Sequence, residues 1–265
     1  MITTQKINNY IDKIPPAPLA LKKTIFLLNK GELIQAAKAA QSDLALKAYL
    51  KNLVNKAVYG FKNEVSDITQ IFGILGVSGS QQAVYNYMIS LLSPNKWQLF
   101  RLNASSFENL QANLSKKWQM ILAHLEIKDK DIESAITLLP ASIIVSEALF
   151  CEKIEDVNIL RTAKALDYNT ILQRLCNKDL FDICEQISTK WEMPSKIAQI
   201  VQASSGVKPS EDEEIDKLGK WMHLLLFYEL SQAQNIEAGL NDFIDFQVEY
   251  IGDIYEEFST LMDIA

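Results

Sequence analysis

The first third of the chain is divided by five short motifs: IPPAP at residues 14–18, SDLALK at 42–47, LVNKAVYG at 53–60, VSDI at 65–68 and ILGV at 74–77. A residue before proline avoids the helical region, so the prolines separate a first helix from a second. Serine and aspartate are typical helix N-caps, and glycine commonly follows a helix C-terminus. The motifs therefore predict a succession of helices joined by short connections.

Apolar residues between the motifs recur every three or four positions, which is the spacing of one helix face. We predict Ser42 as the N-cap of a helix that reaches about Ala57, and Ser66 as the N-cap of a helix closed by Gly76. The same pattern predicts further helices at about 3–13, 18–30, 32–40, 80–92, 96–102, 107–125, 129–150, 155–165, 168–176, 178–191, 194–203, 215–233 and 236–262. Pro140 lies inside one of them, where we expect a kink or a break. The polar stretch 204–214 is predicted to be a surface loop.

The composition agrees with an all-α fold. The 265 residues include only 9 glycines and 7 prolines, and no stretch shows the alternation of a β-strand. Few turn formers mean few connections and long elements, which favours helices over many short strands. The length is enough for one large domain or two small ones, and the 48% of apolar residues is enough for a well-filled core.

Charge and cysteine usage exclude several classes of protein. The net charge is −7, from 26 basic and 33 acidic residues, whereas a nucleic-acid binder usually presents a basic face. Three cysteines without a CxxC motif predict neither a disulfide framework nor a zinc site, and fit a reducing cytoplasm. The N-terminus lacks the apolar core of a signal peptide, and no apolar run approaches the ~20 residues that span a bilayer. We therefore expect a cytoplasmic protein with no nucleic-acid partner and no membrane span.

The order of the motifs resembles the HDOD domain, the HD-related output domain of bacterial signalling proteins. The resemblance is closest between residues 14 and 92, is looser to about residue 230, and is carried by Pro16, Asp43, Asn55, Tyr59, Gly60 and Gly76. It implies an all-α, multi-helix bundle related to the HD-domain phosphohydrolases and phosphodiesterases. It also implies a regulatory or scaffolding role, because members of this family are not established catalysts.

The same motif residues have a structural interpretation. Gly60 and Gly76 are expected to take backbone conformations that are costly for other residues. Asn55 can bond to nearby backbone at a helix end, and Tyr59 is expected to pack beneath a loop. We predict one HDOD-type domain over 1–265, with an N-terminal helical subdomain at about 1–93 and a degenerate HD-like part at about 94–265.

A metal-dependent hydrolase of the HD type would need several histidines and aspartates around its metal, which lowers the pKa of a bound water. This chain has two histidines, His124 and His223, and no His-Asp pair. Matching the family pattern places Pro140 and Ala141 where a hydrolase carries histidine and aspartate, and Leu226 where it carries a later aspartate. We therefore expect no catalytic residue, no metal ligand and no cofactor. His124 is expected to be partly exposed at a helix C-terminus, and His223 to be buried and hydrogen-bonded.

The C-terminal segment 236–262 shows apolar residues every three or four positions, opposite a set of carboxylates. The pattern fits packing onto the body of the domain, and it also fits a docking face for a partner helix. A groove between the N-terminal region and the remainder is the expected ligand or partner site.

Four functions remain open from the sequence. The first is a non-catalytic signal-transduction module that binds another protein, and the second is a small-molecule sensor that uses the degenerate active-site cavity for a nucleotide or second messenger. The third is a residual phosphohydrolase, and the fourth is nucleic-acid binding. Self-association as a homo-oligomer also stays open.

Overall fold

The computed structural model describes residues 4–12, 19–56, 60, 62–91, 93–94, 96–190 and 193–264. Within these ranges the chain forms helices and no strand, which confirms the predicted all-α fold. The α-helices of these ranges, numbered in chain order, are α1 Thr4–Asp12, α2 Leu19–Asn29, α3 Leu33–Gln41, α4 Leu44–Val54, α5 Ile68–Ser90, α6 Ala104–His124, α7 Lys130–Ser134, α8 Leu138–Cys151, α9 Ile154–Lys164, α10 Tyr168–Cys176, α11 Leu180–Lys190, α12 Ser195–Ala203, α13 Glu213–Leu230, α14 Ala233–Glu237, α15 Val248–Ile251 and α16 Tyr255–Leu261. Two 3₁₀ turns, Ala135–Thr137 and Leu240–Phe243, complete the set.

The N-caps of α4 and α5 are aspartates, not the predicted serines. Asp43 accepts two backbone N–H groups of the first turn of α4 at 3.0 Å, and Asp67 accepts one in α5 at 2.8 Å. Ser42 instead donates its hydroxyl to a carbonyl at the end of α3. The prediction of Ser42 and Ser66 was wrong by one residue, because both aspartates have the extended backbone that brings a side-chain oxygen to these amides.

The predicted helix at 96–102 is wrong, since no helix is present at these residues. The backbone N–H groups of Gln98, Leu99 and Phe100 bond to the carboxylate of Glu147 on α8. Those donors are therefore not available to helical carbonyls, and the segment takes an irregular path that buries Trp97 and Phe100.

The predicted single helix at 236–262 is also wrong. The segment is divided into the end of α14, a 3₁₀ turn, α15 and α16, and Gly239 has a φ of 81° where α14 ends. Phe243, Ile254 and Phe258 of the predicted apolar face are still buried against the body of the protein. Of the two interpretations of this segment, packing onto the domain is the one that the structure shows.

Pro140 lies three positions into α8, where its missing N–H has no helical partner to lose. The predicted interruption of helix 129–150 is confirmed, and it falls at the 3₁₀ turn just before α8. The stretch Asp131–Cys151 is long and apolar enough to cross a membrane, but 89% of its most apolar window is buried inside the protein. Such burial is typical of a core helix.

The apolar side chains form two cores. The N-terminal core joins α2, α3, α4 and α5 with Ala112 of α6, and the larger C-terminal core joins α6 to α13 with α15 and α16. Helix α1 belongs to the C-terminal core, because Ile7 and Ile11 pack there and Lys6 and Tyr10 both bond to Glu152. The two cores agree with a subdivided chain, while the predicted boundary near residue 93 stays a prediction.

Gly76 divides α5 into two helical stretches that meet at a kink, in agreement with the two helices that the sequence predicts there. Its φ of 69° and ψ of −174° belong to a region that essentially only glycine occupies. The first helical stretch ends at this kink, and a Cβ added at Gly76 would meet no atom within 4 Å. The backbone conformation alone is therefore the reason for a glycine.

We expect Gly76→Ala to lower the free energy of unfolding by about 1–3 kcal/mol, because alanine is strained in this conformation. Gly73→Ala is a matched control in the same helix, where φ is not positive and an added Cβ also meets nothing within 4 Å. That change should stabilise the protein by about 0.5–1 kcal/mol through helix propensity. Urea unfolding of both variants is the measurement, and equal stabilities would contradict the bend at Gly76.

Candidate functional site

The three residues that the sequence predicts at the metal-ligand positions of a catalytic relative lie in the C-terminal part of the fold. Pro140 and Ala141 lie near the start of α8, and Leu226 lies in α13. All three are buried, and Ala141 and Leu226 are each 1% exposed. Their side chains have no lone pair to offer a metal ion, whose protein ligands are nitrogen, oxygen or sulfur atoms. The described ranges also contain no group of three or more histidine, cysteine, aspartate or glutamate side chains placed to hold a metal ion. The residues present therefore do not fit the metal centre of an HD hydrolase.

His223 is a hydrogen-bonded residue of the core. Its Nδ1 lies 2.9 Å from the carbonyl oxygen of Ser204, and its Nε2 accepts the backbone N–H of Gln247 at 3.3 Å. Because Nε2 accepts a hydrogen bond, it carries no proton, and the single ring proton lies on Nδ1. The imidazole is therefore neutral. Burial lowers the pKa of His223 and outweighs the opposing effect of the Ser204 carbonyl. The prediction of a buried, hydrogen-bonded histidine is confirmed, and its role is to join α13 to the segments on either side.

His124 is the last residue of α6 and is partly exposed, as predicted. Its Nε2 lies 2.6 Å from a carboxylate oxygen of Glu257 on α16. This histidine therefore links the C-terminal segment to the bundle.

The family-motif residues that the structure describes make backbone contacts. Asn55 donates to the carbonyl of Lys51 at 2.7 Å and to that of Val65 at 2.8 Å, and accepts the Val65 N–H at 2.9 Å. Gly60 and Gly76 have φ values of 68° and 69°, as expected for glycines at these motif positions. These contacts, with the Asp43 cap, support the structural interpretation. Pro16 and Tyr59 lie outside the described residues.

Glu147 was not singled out from the sequence, yet it is a buried carboxylate with several partners. It is 2% exposed and accepts three backbone N–H groups of residues 98–100, at 2.5, 3.1 and 3.1 Å. The thiol of Cys151 lies 3.5 Å from the same carboxylate, and burial together with the charge of Glu147 raises the pKa of Cys151 to about 12. The sequence contains a feature that could have identified this residue, because Glu147 is the single charged residue between positions 134 and 151. A lone carboxylate in an apolar helix needs compensating donors.

The expected groove between the two subdomains is present as a cleft of 540 Å³. One wall comes from α2 and α5, and the other comes from α7, α12 and the residues just before α12. The lining residues are Ile25, Asn29, Gln81, Tyr85, Met88, Asp131, Ser134, Met193, Pro194 and Ile197. None of them was a candidate from the sequence, because they come from four separate helices whose juxtaposition only folding creates. We call this the subdomain cleft.

Two solved structures resemble the whole bundle. One is an HDOD domain protein with unknown function from Geobacter sulfurreducens, with a TM-score of 0.60 and 12% identity over 98% of this chain and 94% of that chain. The other, named only as a candidate phosphohydrolase, comes from Shewanella amazonensis SB2B, with a TM-score of 0.62 and 15% identity over 97% of both chains. At these identities the likeness shows the fold, which is that of the HD-like phosphohydrolase class. The curated proteins contain no match to this chain.

The sequence profile of the HDOD domain matches residues 15–206. That range is more than half of the chain, so this protein belongs to the HDOD family. The match ends at Gly206, and α13 to α16 lie beyond it, with α13, α15 and α16 packing into the same C-terminal core.

Proposed function

We propose that this HDOD protein is a non-catalytic regulatory module that acts in the cytoplasm by binding another protein. One observation carries the non-catalytic part of the proposal. The predicted metal-ligand positions are occupied by Pro140, Ala141 and Leu226, which are all buried in the core. A hydrolase of the HD type generates its nucleophile from a metal-bound water. Without ligands at these positions, that route to a phosphoryl-transfer reaction is lost.

The outer face of α2 supports the proposal that the protein binds another protein. Helix α2 buries Leu21 and Leu28 in the N-terminal core and turns a different set of residues to solvent. This outer face consists of Leu19, Lys22, Lys23, Phe26 and Lys30, spaced along one side of the helix. Leu19 is 88% exposed and Phe26 is 56% exposed. Large apolar side chains framed by charges are typical of protein-binding surfaces.

Charge indicates the kind of partner that this face would bind. Residues 1–93 contain 10 basic and 5 acidic residues, whereas residues 94–265 contain 16 basic and 28 acidic residues. The N-terminal subdomain is thus basic in an acidic protein, with net charges of +5 and −12 for the two parts. Lys30 lies over the ring of Phe26 at 4.3 Å, while Lys22 and Lys23 are exposed and form no ion pair with any side chain that the structure describes. An acidic segment with apolar side chains complements this face.

Charge reversal on α2 tests the proposal. The variant Lys22→Glu/Lys23→Glu/Phe26→Ala should lose at least about tenfold in affinity for a partner captured from the native host and then purified, because like charges and a lost aromatic anchor both weaken binding. The matched control is Lys153→Glu/Ile159→Ala/Lys164→Glu, which changes two lysines and one exposed apolar residue around α9. Wild-type binding should weaken with added salt, while the control variant binds like wild type.

Two results would contradict the proposal. Equal loss in the α9 control would mean that the effect is one of net charge and not of the α2 face. Turnover of a phosphodiester by chelator-treated protein after manganese is added back would contradict the non-catalytic half. Light scattering of the purified protein also tests whether the acidic partner is a second copy of this protein.

A small-molecule sensor is the second candidate function. The observation that favours it is the subdomain cleft, whose volume of 540 Å³ falls within the range of about 300–1,000 Å³ that ligand pockets occupy. This cleft is a different place from the filled metal positions of the C-terminal core. A sensor role would therefore use the junction of the subdomains and not the degenerate active site.

A further inference from the structure

The part of the chain after Lys220 carries acidic charge alone. Residues 221–265 contain nine aspartates and glutamates and no lysine or arginine. Four of the nine contact a cationic or histidine side chain elsewhere in the fold: Glu229, Asp242, Asp253 and Glu257. The side chains of Glu249 and Glu256 are exposed and have no partner among the residues that the structure describes. Their carboxylates are therefore open to a partner from outside this chain.

Exposed apolar side chains lie beside these two carboxylates. Val248 precedes Glu249 in α15 and is 63% exposed, and Tyr255 precedes Glu256 in α16 and is 44% exposed. The ring of Tyr255 packs edge to face on that of Phe246, with 6.2 Å between the ring centroids. We call Val248, Glu249, Tyr255 and Glu256 the acidic surface. It has the carboxylates and the apolar side chains that complement the outer face of α2.

The outer face of α2 and the acidic surface belong to different parts of the fold. Helix α2 packs on α3 and α5 in the N-terminal core, whereas α15 and α16 pack on α13 in the C-terminal core. Lys22 and Lys23 form no ion pair with the side chains that the structure describes, and neither do Glu249 and Glu256. Each copy thus carries both members of a complementary pair of surfaces, and neither member is compensated within the copy. Opposite charges of this kind attract between copies.

We propose that the partner of the α2 outer face is a second copy of this protein, which docks through its acidic surface. The lysines of α2 would pair with the carboxylates of the acidic surface, and Phe26 would lie against Tyr255. Two copies related by a twofold axis make this contact twice, once in each direction. One helix face is a small interface, so we expect weak, reversible association. This inference rests on the proposed function, which is protein binding, and names its partner.

Sedimentation equilibrium of the full chain with a pair of charge-reversed variants tests the proposal. The α2 variant is Lys22→Glu/Lys23→Glu. The acidic-surface variant is Glu249→Lys/Glu256→Lys. We expect the average mass of wild type to rise with concentration up to about 1 mM and to fall with added salt. Each variant alone should associate at least about tenfold more weakly, because like charges then face each other. An equal mixture of the two should associate like wild type, since every reversed surface again meets the opposite charge.

Two comparisons separate this pairing from an effect of net charge. Lys153→Glu/Lys164→Glu changes two exposed lysines around α9, has the same net charge as the α2 variant, and should associate like wild type. The acidic-surface variant brings the net charge closer to zero, which by itself favours association, whereas the proposal expects weaker association. Equal weakening in the α9 control, or stronger association of the acidic-surface variant, would overturn the proposal. Circular dichroism confirms that each variant is folded, and the mixture reports on pairing even if one variant is less stable.

The remaining outcomes distinguish this inference from the proposed function. A wild type that stays monomeric, together with a host protein whose binding depends on the α2 face, would overturn the second copy as partner and leave the proposed function standing. A monomer with no partner that depends on the α2 face would overturn both. Self-association that neither reversal weakens, or that mixing the variants does not restore, would overturn the inference alone. Association that both reversals weaken and mixing restores supports both.

Discussion

Replacing Leu226 by aspartate is expected to destabilise the protein by about 4 kcal/mol or more, because a carboxyl group would be buried without a partner. Leu226 is 1% exposed and belongs to the C-terminal core. The substitution introduces the aspartate that the family pattern predicts at this position in an HD hydrolase. It asks directly whether the position still belongs to a metal centre or has become part of the core.

The pH dependence of this variant has a defined sign. Burial raises the pKa of an introduced carboxyl above the ~3.9 of aspartate in an unfolded chain. The unfolded state then releases its proton at lower pH than the folded state, so the folded state binds more protons in between. Stability is therefore highest below about pH 4 and falls as the pH rises towards the folded pKa. The isosteric Leu226→Asn should show the loss of stability without this added pH dependence.

Chemical unfolding between pH 3 and pH 8 is the measurement. Ile159→Asp serves as the control, since Ile159 is 57% exposed on α9 and should change stability by no more than about 0.5 kcal/mol. A Leu226→Asp variant that is as stable as wild type and takes up manganese would show that the metal site is intact, contrary to the buried position of Leu226.

Replacing Glu147 by alanine is expected to cost about 3–5 kcal/mol, because a buried ionic group with several partners is removed and those partners are left unpaired. Three backbone N–H groups at residues 98–100 would lose their acceptor. The segment 96–103 has no helix to satisfy them, so its Trp97 and Phe100 would be held less firmly. Urea unfolding measures the loss of stability. Tryptophan fluorescence reports the environment of Trp97, and the other three tryptophans give a constant background where the core is intact.

Glu249→Ala is the matched control, as Glu249 is exposed on α15. Its stability should stay within about 0.5 kcal/mol of wild type. Glu147→Gln should fall between the two, because an amide keeps one acceptor oxygen but places an NH₂ group beside N–H donors. A Glu147→Ala variant with wild-type stability would mean that water replaces the carboxylate without cost, which the burial of Glu147 argues against.

The sequence was sufficient for features that depend on neighbouring residues. Helices α4 and α6 follow from apolar spacing, and Gly76 from its place between two apolar runs. The family also followed from short motifs, since the order of caps and glycines is local information. These features need no knowledge of what packs against them.

Only the tertiary structure decided features that depend on distant residues. The segment 96–102 has a helical pattern, but its backbone N–H groups donate hydrogen bonds to the carboxylate of Glu147, about fifty residues later. The segment 236–262 has a helical pattern as well, but Phe243 and Phe258 are held by separate parts of the core, so its backbone turns at Gly239. The subdomain cleft likewise joins Gln81 to Asp131 across two helices. Periodicity predicts which residues are buried, because burial depends on one face of a segment. Periodicity cannot predict where a distant side chain accepts the backbone hydrogen bonds that a helix would need, or which side chains come into contact. Those outcomes depend on contacts that form only when the chain is folded.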